Sequence, residues 1–205
     1  MGIGLECVLW YEEMFRLCGL TRFEGLRICE LGNQHIRKRA RQWLAGRGVR
    51  PERVSKKHFR RLGFDHVSID INGKEGALPL DLARPITDPS LLGTFDVLTN
   101  FGTSEHVADQ YECFRNMHRL CKPGGVFLHS VPMTGYFSDH HAAYRYAFEL
   151  FERLAPLCGY EMVDKRPIER GNERLVGVCM RKGEDGEFPG REQFERIAAG
   201  TIIRA

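Results

Sequence analysis

The chain has 205 residues, 42% of them hydrophobic, which suits one substantial core and a single domain over residues 1–205 better than two. Its formal charge is only +3, no apolar stretch is long enough to cross a bilayer, and the N-terminal residues lack a charged start followed by an apolar run, so a cytoplasmic protein without a membrane partner is expected. Seven cysteines lie scattered, with no Cys-x-x-Cys pair and no histidine cluster at ligand spacing, a pattern that argues against a disulfide frame and predicts no metal site.

Residues 5–20 place Leu5, Val8, Leu9, Phe15 and Cys18 in a partial helical stripe, ended by Gly19. Residues 26–31 read as a first strand, and a second ends at Asp70. Asp70 lies 40 residues after Glu30, whereas a strand-end acid in a dinucleotide-type fold follows its glycine turn by about 20 residues. The excess predicts an insertion, about 34–62, of two helices over residues 36–45 and 51–62, broken at Gly46 and Gly48 and restarted at Pro51. Arg37, Lys38, Arg39, Lys56, Lys57, Arg60 and Arg61 are among its bases, against the single acid Glu52. This is either an electropositive patch for an anionic acceptor, with nucleic acid less favoured, or a solvated helix pair.

After Asp70, the run GALPLDLARPI alternates as far as Asp81 and predicts a short third strand and a loop. Residues 95–99 form the fourth strand, and residues 107–120 carry Val107, Tyr111, Phe114, Met117 and Leu120 at crossover-helix spacing. Gly124 and Gly125 precede a fifth strand over residues 126–131. A helix then runs through Tyr144, Phe148, Phe151, Leu154 and Leu157 to Gly159, followed by strands over 160–165 and 175–181. The tail, about 183–205, is weakly helical from 191 to 199 and carries no assignable chemistry.

Open α/β sheets bind ligands at the carboxyl ends of their strands, where Glu30, Asp70 and Asn100 fall. The segments ICELGNQ (28–34), HVSIDIN (66–72), TFDVLTNFGTSEHV (94–107) and CKPGGVFLHSV (121–131), in that order, resemble the class I S-adenosylmethionine-dependent methyltransferases, and the resemblance spans residues 26–182. It implies an α/β fold: a Rossmann-like three-layer sandwich whose seven-stranded, mostly parallel sheet carries an antiparallel edge pair. It also implies S-adenosyl-L-methionine as cofactor, and methyl transfer to a small-molecule or saccharide-like acceptor at oxygen.

Glu30 and Gly32 match the family's acidic residue and first glycine, while Asn33, Gln34 and His35 stand where further glycines are usual. Such side chains restrict positive φ and crowd a ligand. A non-catalytic binding or scaffold protein with a degenerate methyltransferase fold is therefore the alternative. A nicotinamide-dependent oxidoreductase is disfavoured by the lack of G-x-G-x-x-G and by the Lys122-Pro123-Gly124-Gly125 turn. Asp70, with Ile71 beside it, matches the acceptor for the ribose diol. Asp81 and Leu82 resemble the pair that meets adenine, or Asp81 caps the turn toward Pro85. Asn100, Phe101 and Gly102 resemble the loop at the methionine end. A hydroxyl acceptor benefits from a base, and the candidates are His106, His140 and His141, with His129 and Asp139 behind them.

Overall fold

The structure is a computed structural model and describes residues 2–50, 52–136, 142–184 and 186–204. In chain order its main elements are α1 (Leu5–Leu17), β1 (Arg27–Leu31), α2 (Lys38–Gly46), α3 (Ser55–Leu62), β2 (Asp65–Ile69), β3 (Phe95–Phe101), α4 (Gln110–Leu120), β4 (Cys121–Pro132), β5 (Tyr144–Tyr146), α5 (Phe148–Leu157), β6 (Tyr160–Arg170), β7 (Glu173–Lys182), α6 (Arg191–Ala198) and β8 (Ile202–Arg204). No helix among the described residues is long and apolar enough to cross a membrane.

Short strands buried on both faces need helices above and below them. Every residue of β3 is buried. Successive residues of the central strands therefore enter opposite cores, as a side-chain period of two requires. Cys29, Leu98, Phe127 and Val178 meet α4 and α5 through Phe114, Met117, Phe151 and Leu154. Ile28, Val97, Leu128 and Cys179 meet α1, α2 and α3 through Tyr11, Met14, Leu44 and Phe59. The result is the expected three-layer α/β sandwich.

The sheet order is β2-β1-β3-β4-β7-β6. The first four strands are parallel, and β7 runs antiparallel to both β4 and β6. The sheet has six strands where seven were expected. The expected third strand shrinks to one parallel bridge between Ile69 and Leu78. Leu78 N donates to Ser68 O at 2.8 Å and Asp70 N to Leu78 O at 3.0 Å, but Pro79 follows and has no N–H to extend the ladder. Tyr144 is also not helical: it opens β5, which pairs with β8 in a small separate sheet. The expected helix starts only at Phe148. Register brings the loops of the site together, since Leu31 lies opposite both Ile69 and Asn100.

Of the four buried histidines among the described residues, three sit against neutral polar partners. His58 Nε2 lies 2.9 Å from Tyr11 Oη, His118 Nδ1 lies 2.7 Å from Tyr160 Oη, and His129 Nδ1 lies 3.3 Å from Asn100 Nδ2. Burial lowers His58 and His118 to about 4 and His129 to about 3, from 6.5. Between pH 6.5 and those values the unfolded chain binds the protons that the folded chain refuses, so stability falls as pH falls. Each such histidine contributes about 1.4 kcal/mol per pH unit inside that window. These three rings should lower stability toward urea at about pH 5 relative to about pH 7, against an opposite contribution from the raised Glu30 carboxyl; imidazole NMR signals of His58, His118 and His129 that titrate near pH 6.5 would contradict three neutral buried rings.

Candidate active site

Three loops leave the carboxyl ends of β1, β2 and β3 side by side. In the first, only Gly32 needs the left-handed region, at φ 77°. Among the described non-glycine residues only Glu75 has positive φ, so Asn33, Gln34 and His35 turn without strain. Gly32 is required for a different reason: a Cβ there would stand 2.5 Å from Thr103 Oγ1 and 2.8 Å from Gln34 Nε2. Thr103 Oγ1 donates to Leu31 O at 2.6 Å and accepts from Gln34 Nε2 at 3.2 Å. The close approach at Gly32 thus comes from this chain's own side chains.

In the second loop, Asp70 Oδ2 accepts from Asn33 N at 2.9 Å and Oδ1 from Asn72 N at 3.0 Å. Each carboxylate oxygen keeps lone-pair capacity for a ligand. The turn beyond it holds Gly73, Glu75 and Gly76 at positive φ. Lys56 Nζ steadies that turn by donating to Glu75 O at 3.2 Å and Gly76 O at 2.9 Å, and Asn33 Nδ2 donates to Lys74 O at 2.8 Å.

The loops enclose a cleft of ≈ 550 Å³, inside the range of roughly 300–1,000 Å³ usual for small-molecule sites. Of the residues named from sequence, Gly32, Asn33, Asp70, Ile71, Asp81, Leu82, Gly102 and His106 line it. Ile71 is 71% exposed on its rim. Asp81 caps its turn, its Oδ1 accepting from Ala83 N at 2.9 Å, and it also borders the cleft. Thr103, Val107 and Ala108 also line the cleft without any assignment from the sequence, and Gln34 lines it although the sequence marks it only as a replacement for glycine.

The side chains of Glu30, Asn100 and Phe101 lie elsewhere. Glu30 is fully buried, its Oε2 accepting from Ser55 Oγ at 2.7 Å and 3.1 Å from His66 Nε2. Burial pushes its carboxyl above the usual range, partly offset by the bonds from His66 and Ser55. Asn100 turns down into its own loop: Oδ1 accepts from Ser104 N at 3.1 Å and Nδ2 donates to Ser104 Oγ at 2.9 Å. Phe101 stacks on Tyr11, with centroids 6.0 Å apart. It lines a second, narrow crevice of ≈ 20 Å³ with Ile3, Cys7, Ile168 and Leu175, and Gly102 borders both this crevice and the cleft. His129 is packed into the core beneath Asn100, so it is not a base facing the cleft. His140, His141 and Asp139 lie outside the described residues.

The basic insertion does not gather onto one surface. Lys56, Lys57 and Arg60 surround one hollow, whereas Arg37, Lys38 and Arg39 border another beside Arg170.

The cleft fits S-adenosyl-L-methionine by the chemistry of its wall. It offers a fixed carboxylate for a diol and apolar Ile71 and Leu82 for a ring. Asn33 Oδ1 and Gln34 Oε1 are acceptors without a partner among the described residues, suited to a ligand rich in donors.

The chain matches the methyltransferase domain family over residues 33–162 and belongs to it. It is a class I S-adenosylmethionine-dependent methyltransferase domain, and S-adenosyl-L-methionine is the cofactor of this family. Among curated proteins it is similar to the ubiquinone biosynthesis O-methyltransferase of Caulobacter sp. (strain K31), with 32% identity over 124 residues, 54% of this chain and 42% of the relative. The protein of the same name from Caulobacter vibrioides is 32% identical over 119 residues, 52% of this chain and 40% of the relative. The chain therefore spans about two fifths of the length of these curated relatives. Its fold is shared with the Burkholderia thailandensis 1,6-didemethyltoxoflavin-N1-methyltransferase, solved with 1,6-didemethyltoxoflavin and S-adenosylhomocysteine (TM-score 0.54, 15% identity, 86% of this chain and 81% of that one). It is shared too with an S-adenosylmethionine-dependent methyltransferase from Mesorhizobium loti (TM-score 0.53, 13% identity, 83% and 96%).

The geometry at Gly32 makes a direct prediction. Gly32→Ala forces a side chain into both a left-handed backbone and a 2.5 Å contact, and should lower unfolding free energy by about 1–3 kcal/mol. Chemical denaturation of the variant measures this, and an unchanged midpoint would show that the loop is not so tightly closed.

Proposed function

We propose that this chain transfers a methyl group from S-adenosyl-L-methionine to an oxygen of a small-molecule acceptor. The observation that carries the reading is the Asp70 carboxylate, fixed by two backbone N–H groups at the mouth of the cleft. When bound, the cofactor supplies an electrophilic methyl group on sulfonium. Asp70 would accept from its ribose hydroxyls, Ile71 and Leu82 would flank its adenine ring with Asp81 at the ring's edge, and Asn33, Gly32 and Gly102 would border its amino-acid tail. The work left to the protein is alignment and exclusion of water.

The crevice of ≈ 20 Å³ that also touches Gly102 has room for little more than a water, so the acceptor would lie in the cleft itself, beside the cofactor's methyl group. The basic side chains near the crevice do not single out an anionic acceptor, because Arg170 is paired with Glu173 and Glu6 stands among Arg37, Lys38 and Arg39. Oxygen as the receiving atom is supported by the names of the curated relatives. His106, on the cleft wall with its side chain 43% exposed, is a described histidine placed to take the acceptor's proton, and His140 and His141 remain candidates for the same role. A cytoplasmic setting fits seven buried thiols that form no disulfide.

One observation favours the scaffold reading instead: Gln34 and Thr103 fill the space over Gly32. Parallel calorimetric titration with S-adenosyl-L-methionine and NAD separates the readings. We expect binding of the first and none of the second, and Asp70→Asn, which leaves one of the two backbone N–H groups without its acceptor, should weaken that binding by about tenfold or more in protein that still folds, with a modestly lower melting temperature. A folded wild-type chain that ignores S-adenosyl-L-methionine would favour the scaffold. Given binding and turnover, His106→Gln should lower kcat by about a hundredfold with cofactor affinity nearly intact. Unchanged kcat removes His106 as the base.

A further inference from the structure

The tail beyond β7 contributes none of its described residues to the cleft wall, yet it is fastened to the loop that forms that wall. β8 pairs with β5, setting Tyr144 opposite Arg204 and Tyr146 opposite Ile202, and Ala147 N donates to Thr201 O at 2.8 Å. A three-residue strand has little stability of its own. Besides β8, the end of β4 helps hold β5, through the Met133–Tyr146 bridge and the donation from Thr134 N to Tyr146 O at 2.9 Å.

Residues two apart on a strand face the same way, and both phenols of β5 reach residues 104–110. Tyr144 Oη donates to Ala108 O at 3.1 Å. Tyr146 Oη lies 2.8 Å from Gln110 Oε1 and 2.9 Å from Ser104 Oγ. The protons can be assigned. Gln110 Nε2 donates to Ser104 O at 2.8 Å and to Val107 O at 2.7 Å, so both amide protons are committed and Oε1 can only accept. The phenol proton of Tyr146 goes to Gln110 Oε1, and the hydroxyl proton of Ser104 goes to the phenol oxygen. Ser104 Oγ in turn accepts from Asn100 Nδ2 at 2.9 Å. Asn100, Ser104 and Tyr146 are fully buried, where a satisfied chain of this kind holds one arrangement and a broken one leaves polar groups stranded.

A short turn, Ser104–His106, and the residues after it are what this chain holds. Such a turn has poor hydrogen-bond geometry alone, and Thr103, His106, Val107 and Ala108 are its cleft face. From the tail, Arg191 at the start of α6 donates to Asp109 at 3.1 and 2.8 Å and lies 4.3 Å over the Tyr111 ring. Asp109 is the N-cap of α4, accepting from Glu112 N at 2.9 Å. Two separate attachments therefore bear on one loop, one before and one within its junction with α4.

We infer that β5 and residues 191–204 form a brace that positions the cofactor-binding wall, with Tyr146 as its central positioning residue; the inference rests on reading the cleft as the S-adenosyl-L-methionine site. Tyr146→Phe keeps the ring and removes one oxygen. Two measurements test it: backbone amide hydrogen exchange over residues 103–109 in the free protein, and S-adenosylhomocysteine affinity by calorimetry. Exchange over 103–109 should quicken by about tenfold while β1 and β3 keep their protection, and affinity should fall roughly five- to tenfold. A merely structural role would instead loosen the whole sheet. If Tyr146→Phe does not fold, Tyr144→Phe, which removes the other phenol of β5 and its donation to Ala108 O, decides the matter: exchange near Ala108 should quicken and affinity should fall, and no change in either overturns the inference. Arg191→Ala should loosen residues 109–112 and weaken affinity only about twofold, as a half-exposed pair would. Unchanged exchange and affinity in folded Tyr146→Phe overturn the inference. If wild-type protein fails to bind S-adenosylhomocysteine while the variant still loosens 103–109, the cofactor reading falls, and the positioning role with it, but the brace contacts are confirmed.

Discussion

Asp70 accepts one backbone N–H from the loop after β1 and another from its own loop, and this double acceptance makes two loops into a single rim. The parallel register places Leu31 opposite Ile69, so the following residues emerge at one level, and the carboxylate then ties Asn33 to Asn72 across the gap. A charged acceptor bonded to backbone donors is among the stronger neutral-to-ion contacts available to a loop. With that tie in place, the orientation of Asn33, the turn through Gly73 and the mouth of the cleft are all determined together.

The insertion between β1 and β2 supports this rim from behind. Ser55 at the start of α3 reaches Glu30, and Lys56 beside it holds the carbonyls of the turn beyond Asp70. Glu30 and His66 form a pair with no exposed surface. Buried pairs of this kind contribute little net stability, but removing one partner strands the other. The insertion therefore acts as framework for the site as well as carrying surface charge. Several of its bases are also locally paired, Arg61 with Glu52 at 2.7 Å and Arg39 with Glu6 at 3.7 Å.

Strand-end chemistry was legible in the sequence where it is local. Asp70, Gly32 and Gly102 follow apolar runs directly, and strand type and order place them. Glu30 and Asn100 lie at equally plausible strand ends, yet their side chains turn inward. Their direction depends on the parity of the strand and on partners distant in sequence, Ser55 and His66 for one and the Ser104 turn for the other. The third strand expected from alternation is not formed: it is reduced to the Ile69–Leu78 bridge, because Pro79 lacks the donor needed to extend the ladder. β5 and β8 are three residues each, too short for periodicity to reveal, and they exist because they pair with each other.

Gly102 borders both the wide cleft and the narrow crevice. The two spaces differ in where their walls come from along the chain. Nearly all of the cleft lies within residues 33–162, the part that matches the family, whereas Ile3, Cys7, Ile168, Arg170 and Leu175 of the crevice lie outside it. The loops that build the cleft thus belong to the part of the chain that matches the family, while much of the crevice's wall comes from its flanks. Substitutions in those flanks can reshape the crevice without touching the loops around Asp70, with Gly102 as the residue common to both walls.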